Sequence, residues 1–283
     1  MKKILLTLFV FIAITFVFTS CNKNTDTTNP LNFNQQSALA QNYAFIQDVY
    51  GDIFDLVCQA SGDSALMASH TGSIAGATVV FDSITNKFVF TFPTKSTNGK
   101  VGEFTADLDG NGDFQEVGTV AHISFNDYKV NGNSVQGSND ITNRGKIGGK
   151  KTTGTIITYT DSVFATIIKG ADTIHVTANY SVDWSLGDTS TVLDDQYMFS
   201  GSINGYSNPN KWFQADVSPT NKVLVTPACQ WIQSGIISAQ MHTLDASNNP
   251  KLTTVQIDFL PGCTKQVQVT MDDGSSITFD MPD

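Results

Sequence analysis

The chain has a single arginine, Arg144, and two glutamates, Glu103 and Glu116, among 283 residues. Its remaining small basic cluster, Lys146, Lys150 and Lys151, sits among glycines and reads as a solvated loop. Neutralising a phosphate backbone takes clustered Lys and Arg, so nucleic acid is excluded as a partner. The four histidines, His70, His122, His175 and His242, are far apart. Zinc sites gather Cys and His at close spacing, and nothing here does so. No Gly-x-Ser-x-Gly elbow is present either: Gly72-Ser73-Ile-Ala-Gly76 has the wrong spacing for a nucleophilic serine.

Long apolar runs are also scarce, with one exception. Lys2 and Lys3 precede a fifteen-residue apolar run from Ile4 to Phe18, followed by Thr19-Ser20-Cys21. A charged start, a short apolar core and small residues before a cut form a secretory signal. The cysteine at the cut predicts cleavage before Cys21 and diacylation of its sulfur. Spanning hydrocarbon takes roughly 20 apolar residues, more than this run supplies. Residues 1–20 are therefore expected to be a lipoprotein signal peptide, and the membrane a partner through lipid on Cys21. The expected location is the cell envelope, at the outer membrane. Asn22-Lys23-Asn24-Thr25-Asp26 lacks an acidic pair after the cysteine, which favours the periplasmic face while leaving the surface face open.

Without Lys2 and Lys3 the chain keeps 14 basic against 26 acidic side chains, a net charge of about −12. Nearly all the acids are aspartates, and many of them lie beside Gly, Asn, Thr or Ser. Aspartate bonds its own following backbone and favours turns, whereas glutamate favours helices. The bias points to strands and turns. Residues 21–34 carry the lipidated cysteine and an Asn/Thr-rich tether that reaches at most about 45 Å. Leu39, Tyr43, Ile46, Val49, Tyr50, Ile53, Leu56 and Val57 then recur at three- and four-residue spacing, predicting an amphipathic helix over 35–59, weakened slightly by Gly51. Ala60 to Gly76 reads as a linker or ordered loop.

From there the period is two. Phe88, Phe90 and Phe92 alternate with Val89 and Thr91, and Ile174, Val176, Ala178, Tyr180, Val182 and Trp184 fall on one face. Asn131-Gly132, between His122–Val130 and Ser134–Thr142, predicts a type I′ hairpin. Gly170-Ala171-Asp172 and Asp272-Asp273-Gly274 predict two more turns. The expected fold is mainly β: a large antiparallel sandwich or curved meander over 75–283 with one N-terminal amphipathic helix. Those 209 residues fit one domain, or two similar halves. Tyr128…Gly132, Tyr197…Gly201 and Trp231…Gly235 each set an aromatic four residues before a glycine, which in a strand shares one face with it, a packing device.

The compartment is oxidising. Cys229 and Cys263 each lie at a strand-like run and are expected to pair; Cys58 reads as a buried small hydrophobe, its pairing open. Asp107-Leu-Asp109-Gly-Asn111-Gly112-Asp113 offers calcium its oxygens, yet the position that would need a bidentate glutamate is Gly118 and no helix flanks it. A tight hairpin loop explains the same residues, so no cofactor is expected, with calcium at Asp107, Asp109, Asn111 and Asp113 the alternative. The carboxylate pairs Asp194-Asp195 and Asp272-Asp273 face opposite sides of a strand. Of three tryptophans, Trp184 and Trp231 read as core, and Trp212, after the Asn208-Pro-Asn turn, as a sugar-stacking candidate.

The run Phe125-Asn-Asp-Tyr128-Lys-Val-Asn-Gly132-Asn-Ser-Val-Gln-Gly137 with Ile141-Thr142-Asn143, then Asp194-Asp195-Gln196-Tyr197 with Gly201 and Gly205, Cys229-Gln-Trp231-Ile-Gln-Ser-Gly235, and Val255-Gln-Ile-Asp258-Phe259-Leu-Pro-Gly262-Cys263 resembles, in the same order, uncharacterised β-rich lipoproteins of Bacteroidota. The resemblance covers roughly Thr78 to Phe279 and implies an antiparallel envelope lipoprotein with no catalytic residues to carry over. A first-half Gly-Cys of that pattern is missing around Phe92-Pro93-Thr94. The expected function is a non-enzymatic structural or binding role in the envelope. A surface glycan-binding module is the alternative, and a hydrolase using dispersed aspartates a second one.

Overall fold

Alternation of apolar and polar side chains gives most strands one face to bury, and a single core joins those faces to the N-terminal helix. The computed structural model describes residues 30–281 apart from 97, 110–113, 148–153, 188–192, 207–211, 230 and 245–248. Helix α1 spans Pro30–Gly62 and a short α2 Ser64–Ser69. The strands are β1 (Thr71–Ile74), β2 (Ala77–Asp82), β3 (Lys87–Phe92), β4 (Lys100–Leu108), β5 (Val120–Val130), β6 (Asn133–Ile147), β7 (Ile156–Lys169) and β8 (Asp172–Ser185). They continue with β9 (Gln196–Tyr206), β10 (Trp212–Val217), β11 (Val223–Val225), β12 (Gly235–Leu244), β13 (Pro250–Phe259), β14 (Gln266–Met271) and β15 (Ser276–Asp280). All lie in one 15-stranded antiparallel sheet whose order follows the sequence, except that β11 pairs with β9 while β10 pairs with β12.

The mainly β class and the N-terminal helix are as expected, and the form is a meander. One sheet runs through both halves, so no second sheet packs on it as in a sandwich. The helix is longer than its apolar period indicates: residues 30–34, assigned to the tether, are helical, and so are 60–62. The segment read as a linker holds α2, capped by Asp63, whose carboxylate accepts the Ala65 and Leu66 amides at 2.9 and 3.1 Å. The sheet starts at Thr71, four residues before the expected β boundary.

At the predicted hairpin between β5 and β6, Asn131 and Gly132 both have positive φ, 50° and 78°, the type I′ signature. The turns after β7 and β14 also fall at the predicted residues. Curvature comes from glycine kinks in the long central strands. Gly137 and Gly201 have φ of 114° and 130°, and a Cβ on either would stand 2.1 Å from a carbonyl oxygen of the neighbouring strand. Only glycine allows that approach.

The sheet wraps α1. Phe54 meets Phe114, Tyr159, Tyr197 and Phe199 with ring centroids 5.0 to 6.5 Å apart, and Tyr43 meets Phe259 on β13. Gly51 is buried inside the helix, and a Cβ there would meet Phe199 and Gln47 at no less than ordinary contact distance, so the packing does not require glycine. Outward, β8 presents His175, Thr177, Asn179, Ser181 and Asp183, while its other face is the predicted apolar row ending in Trp184. Among the described residues no helix is long and apolar enough to cross a membrane.

Candidate functional site

Helix α1 is buried on most sides, and its one remaining face is polar. Gln41, Asp48, Asp52, Asp55 and Gln59 recur at three-, four- and seven-residue spacing, which puts them in a line. Asp48, Asp52, Asp55 and Gln59 floor a cleft of about 640 Å³ walled by the β5–β6 turn, the start of β4 and the segment after β11. It joins a second recess of about 470 Å³ lined by Phe45, Trp231, Phe259 and Lys265, the two sharing Asp48, Asn131, Val225 and Cys229.

Each carboxylate on the floor has a different environment. Lys100, the first residue of β4, forms an ion pair with Asp52, both side chains mostly withdrawn from solvent. Asp55 accepts the Tyr197 hydroxyl at 2.5 Å and the Gln59 amide at 2.6 Å. Burial pushes Asp55 up to about 6; the Tyr197 and Gln59 hydrogen bonds oppose that shift, and the Asp52 and Asp195 charges add to it. Asp48 reaches solvent, yet burial by the cleft walls and the Asp52 charge beneath it raise it to about 6 against the pull of Lys100. Burial raises Asp52 too, and Lys100 counteracts it.

Two polar atoms of the cleft have no partner. One end of the Gln47 amide accepts the Tyr43 hydroxyl at 3.3 Å, and its Nε2 is buried without an acceptor. Asp52 Oδ2 is buried without a donor. An unpaired buried donor or acceptor costs about 1–3 kcal/mol, so both are positions that a bound group would relieve.

A second polar cluster lies sealed behind α1. Asp161 on β7 is fully buried, neither of its oxygens is hydrogen-bonded, and burial pushes it up to about 8, so it is a neutral acid at pH 7. The Asn139 amide beside it counteracts the shift without reaching hydrogen-bond geometry. Burial foremost raises the hydroxyls of Tyr50 and Tyr180, which likewise have no partner.

Cys229 and Cys263 form the expected disulfide, Cα atoms 5.6 Å apart across a sequence separation of 34. A loop of that size is worth about 4 kcal/mol in chain entropy, and here it ties the cleft wall after β11 to the β13–β14 turn. Cys58 is a buried thiol outside the bridge. Cys21 lies outside the described residues, as do Asn111 and Asp113. Asp107 is 3.8 Å from Lys87, and Asp109 is 3.3 Å from His122 Nε2, whose Nδ1 is 2.7 Å from Asp140. The Asp140 hydrogen bond foremost, with Asp109 adding, raises His122. Among the described residues no group of three His, Cys, Asp or Glu gathers as metal ligands.

Trp184 is core, donating its indole N–H to the buried Asp195 at 2.9 Å. Asp273 stays in its turn, bonded to Ser275. Trp231, read as core, is half-buried and lines the apolar recess with Lys265 5.9 Å over its ring. Trp212 is half-exposed on the outward face, 5.3 Å from the His242 ring, away from the cleft. The cleft carboxylates were missed by motif reading. Their signal was three aspartates inside an apolar helix, where Asp is a poor helix former. Comparison of the chain with protein-family models, with curated proteins and with solved structures finds no match in any of the three.

Proposed function

We propose that this protein is a lipid-anchored lipoprotein of the cell envelope, held at the outer membrane through Cys21, with a non-enzymatic binding role exercised in the cleft along α1. The observation that carries the binding role is the orphan pair in that cleft, a buried donor at Gln47 Nε2 and a buried acceptor at Asp52 Oδ2. A hydroxyl both accepts and donates, so a hydroxylated ligand satisfies the two together. The adjoining recess sets the Trp231, Phe45 and Phe259 rings where the apolar face of a sugar ring would lie. The ligand class is therefore a neutral or amino-bearing glycan fragment, in line with the glycan-binding alternative, but through Trp231 and the helix carboxylates rather than Trp212. The signal-like Met1 to Cys21 segment and the resemblance to Bacteroidota lipoproteins support the anchor.

Calorimetry with a panel of oligosaccharides tests the ligand class. Wild-type protein is expected to bind at least one, and Gln47→Met, similar in size but lacking the donor, to bind it at least tenfold more weakly while keeping a cooperative melt. Silence of the wild type toward the whole panel at millimolar concentration sinks the glycan reading. For the anchor, Cys21→Ser is expected to abolish lipid labelling and move the protein out of the membrane fraction; a variant that stays with the membranes removes that part.

A hydrolase is the second reading, favoured by two carboxyls, Asp48 and Asp55, poised at about 6 in one cleft, as general acid–base work requires. Turnover of aryl glycosides that disappears in Asp48→Asn would put it ahead of the binding role.

A further inference from the structure

Among the described residues, the large apolar side chains exposed on the outward face of the sheet gather along one line from β7 to β13, with Val80 on β2 apart from it. Strand register places Leu252 opposite His242, His242 opposite Trp212, Trp212 opposite Tyr206, Tyr206 opposite His175, and His175 opposite Thr166. Phe213 pairs with Met241, which fixes the Trp212–His242 step. All six side chains point outward, across six adjacent strands, a span of about 24 Å at the usual strand spacing. The rings touch in pairs: Trp212 and His242 at 5.3 Å, His175 and Tyr206 at 4.8 Å, with Thr166 bonded to His175 Nδ1 at 3.1 Å.

Exposed apolar side chains concentrate here. Tyr206 and Leu252 are each 51% exposed, and Phe164 and Ile168 flank Thr166 on the same face of β7. The other large exposed hydrophobics, Val80, Ile84, Val117 and Leu193, are scattered over separate turns and strands. A contiguous apolar patch marks a contact surface, whereas single exposed residues do not.

We infer that this row is the face with which the anchored protein lies against the bilayer interface. It rests on the Cys21 anchor of the proposed function. The row follows the sheet edge formed by the β7–β8, β9–β10 and β12–β13 connections, each member within six residues of a strand end. The first half of α1 comes out under that edge: Lys169, at the end of β7, reaches Asn42 Oδ1 at 3.4 Å and lies 5.9 Å from the Phe45 ring. Only eight residues separate Cys21 from Pro30, at most about 30 Å of extended chain, so a lipid on Cys21 keeps this edge near the membrane. Trp and Tyr, with an apolar body and a polar tip, are the side chains that favour the water–lipid interface. The row contains no Lys or Arg, and the mature chain carries about −12, so the contact suits zwitterionic headgroups and does not depend on salt.

The test uses the full lipidated protein in phosphatidylcholine vesicles, with an environment-sensitive dye on Leu252→Cys or, as control, on Ile84→Cys at the β2–β3 turn. Headgroup-borne quencher is expected to quench the Leu252→Cys dye at least threefold more than the control, equally at low and high salt. A protein that floats with the vesicles but shows equal quenching at both positions overturns the inference and leaves the anchor standing. A protein that does not float overturns both. A Leu252→Cys dye that ignores lipid and responds to a neutral polysaccharide assigns the row to a glycan instead and overturns the bilayer contact.

Discussion

Asp52 and Asp161 are the same residue in two surroundings, both largely cut off from water, and they differ in what faces them. Asp52, on the helix face that the sheet leaves open, has Lys100 as its ion-pair partner and one oxygen directed at a cleft. Asp161, on a strand facing the back of the same helix, has no cation and no hydrogen bond, and burial keeps it protonated well past neutrality. Burial pushes both carboxyls toward neutrality, and an adjacent cation opposes that push only at Asp52. Asp52, beside its cation, is placed to meet a ligand, and Asp161 contributes polarity to the core at a cost in stability that depends on pH.

The largest effect is expected from Asp161→Asn. Because the folded carboxyl titrates near 8 and the unfolded one near its ordinary value of 3.8, the native state holds a proton that the unfolded chain has lost between those values. Stability therefore falls as pH rises through that window, by about 1.4 kcal/mol per unit for this one group. The amide removes this slope, so denaturant melts at pH 5 and pH 8 should lie closer together in the variant than in the wild type. An unaltered slope would mean that Asp161 is paired or solvated in the native protein. Asp48 and Asp55, each at about 6, add a slope of the same sign below that pH, and it should persist in the variant.

Removing the cation from the other site is next. Lys100→Met strands Asp52 in a largely buried position and is expected to cost about 2–4 kcal/mol at pH 7. Since protonation relieves an unpaired carboxylate, the loss should shrink toward pH 4, and a loss independent of pH would show that Lys100 acts through packing alone. The smallest change is Tyr197→Phe, which deletes the hydroxyl donor to Asp55. It should cost about 1–2 kcal/mol and move the Asp55 titration above 6, readable by carboxyl-carbon NMR; a downward shift would contradict the hydrogen bond.

Much of the fold was legible because its determinants are local. The alternation from Ile174 to Trp184 reflects a strand with one buried face, and Asn131-Gly132 adopts the positive φ pair that its turn requires. Gly51 lowers helix propensity locally, yet α1 runs through it as expected, because burial of the helix's apolar face outweighs one poor helix former. The site was legible in half. Asp48, Asp52 and Asp55 at helical spacing were visible, whereas Lys100 comes from 48 residues beyond Asp52 and Tyr197 from 142 beyond Asp55.

The sequence by itself determined the strand periods, the turns, the pairing chemistry of Cys229 and Cys263 and the signal-like start ending at Cys21, since each depends on neighbours along the chain. Which face of α1 stays open, which aspartate meets a cation, and that Leu252, His242, Trp212, Tyr206 and His175 form one row were decided only by the tertiary structure. Those features depend on strand register and on the wrap of the sheet about the helix, which bring together residues whose separation in sequence carries no local signal.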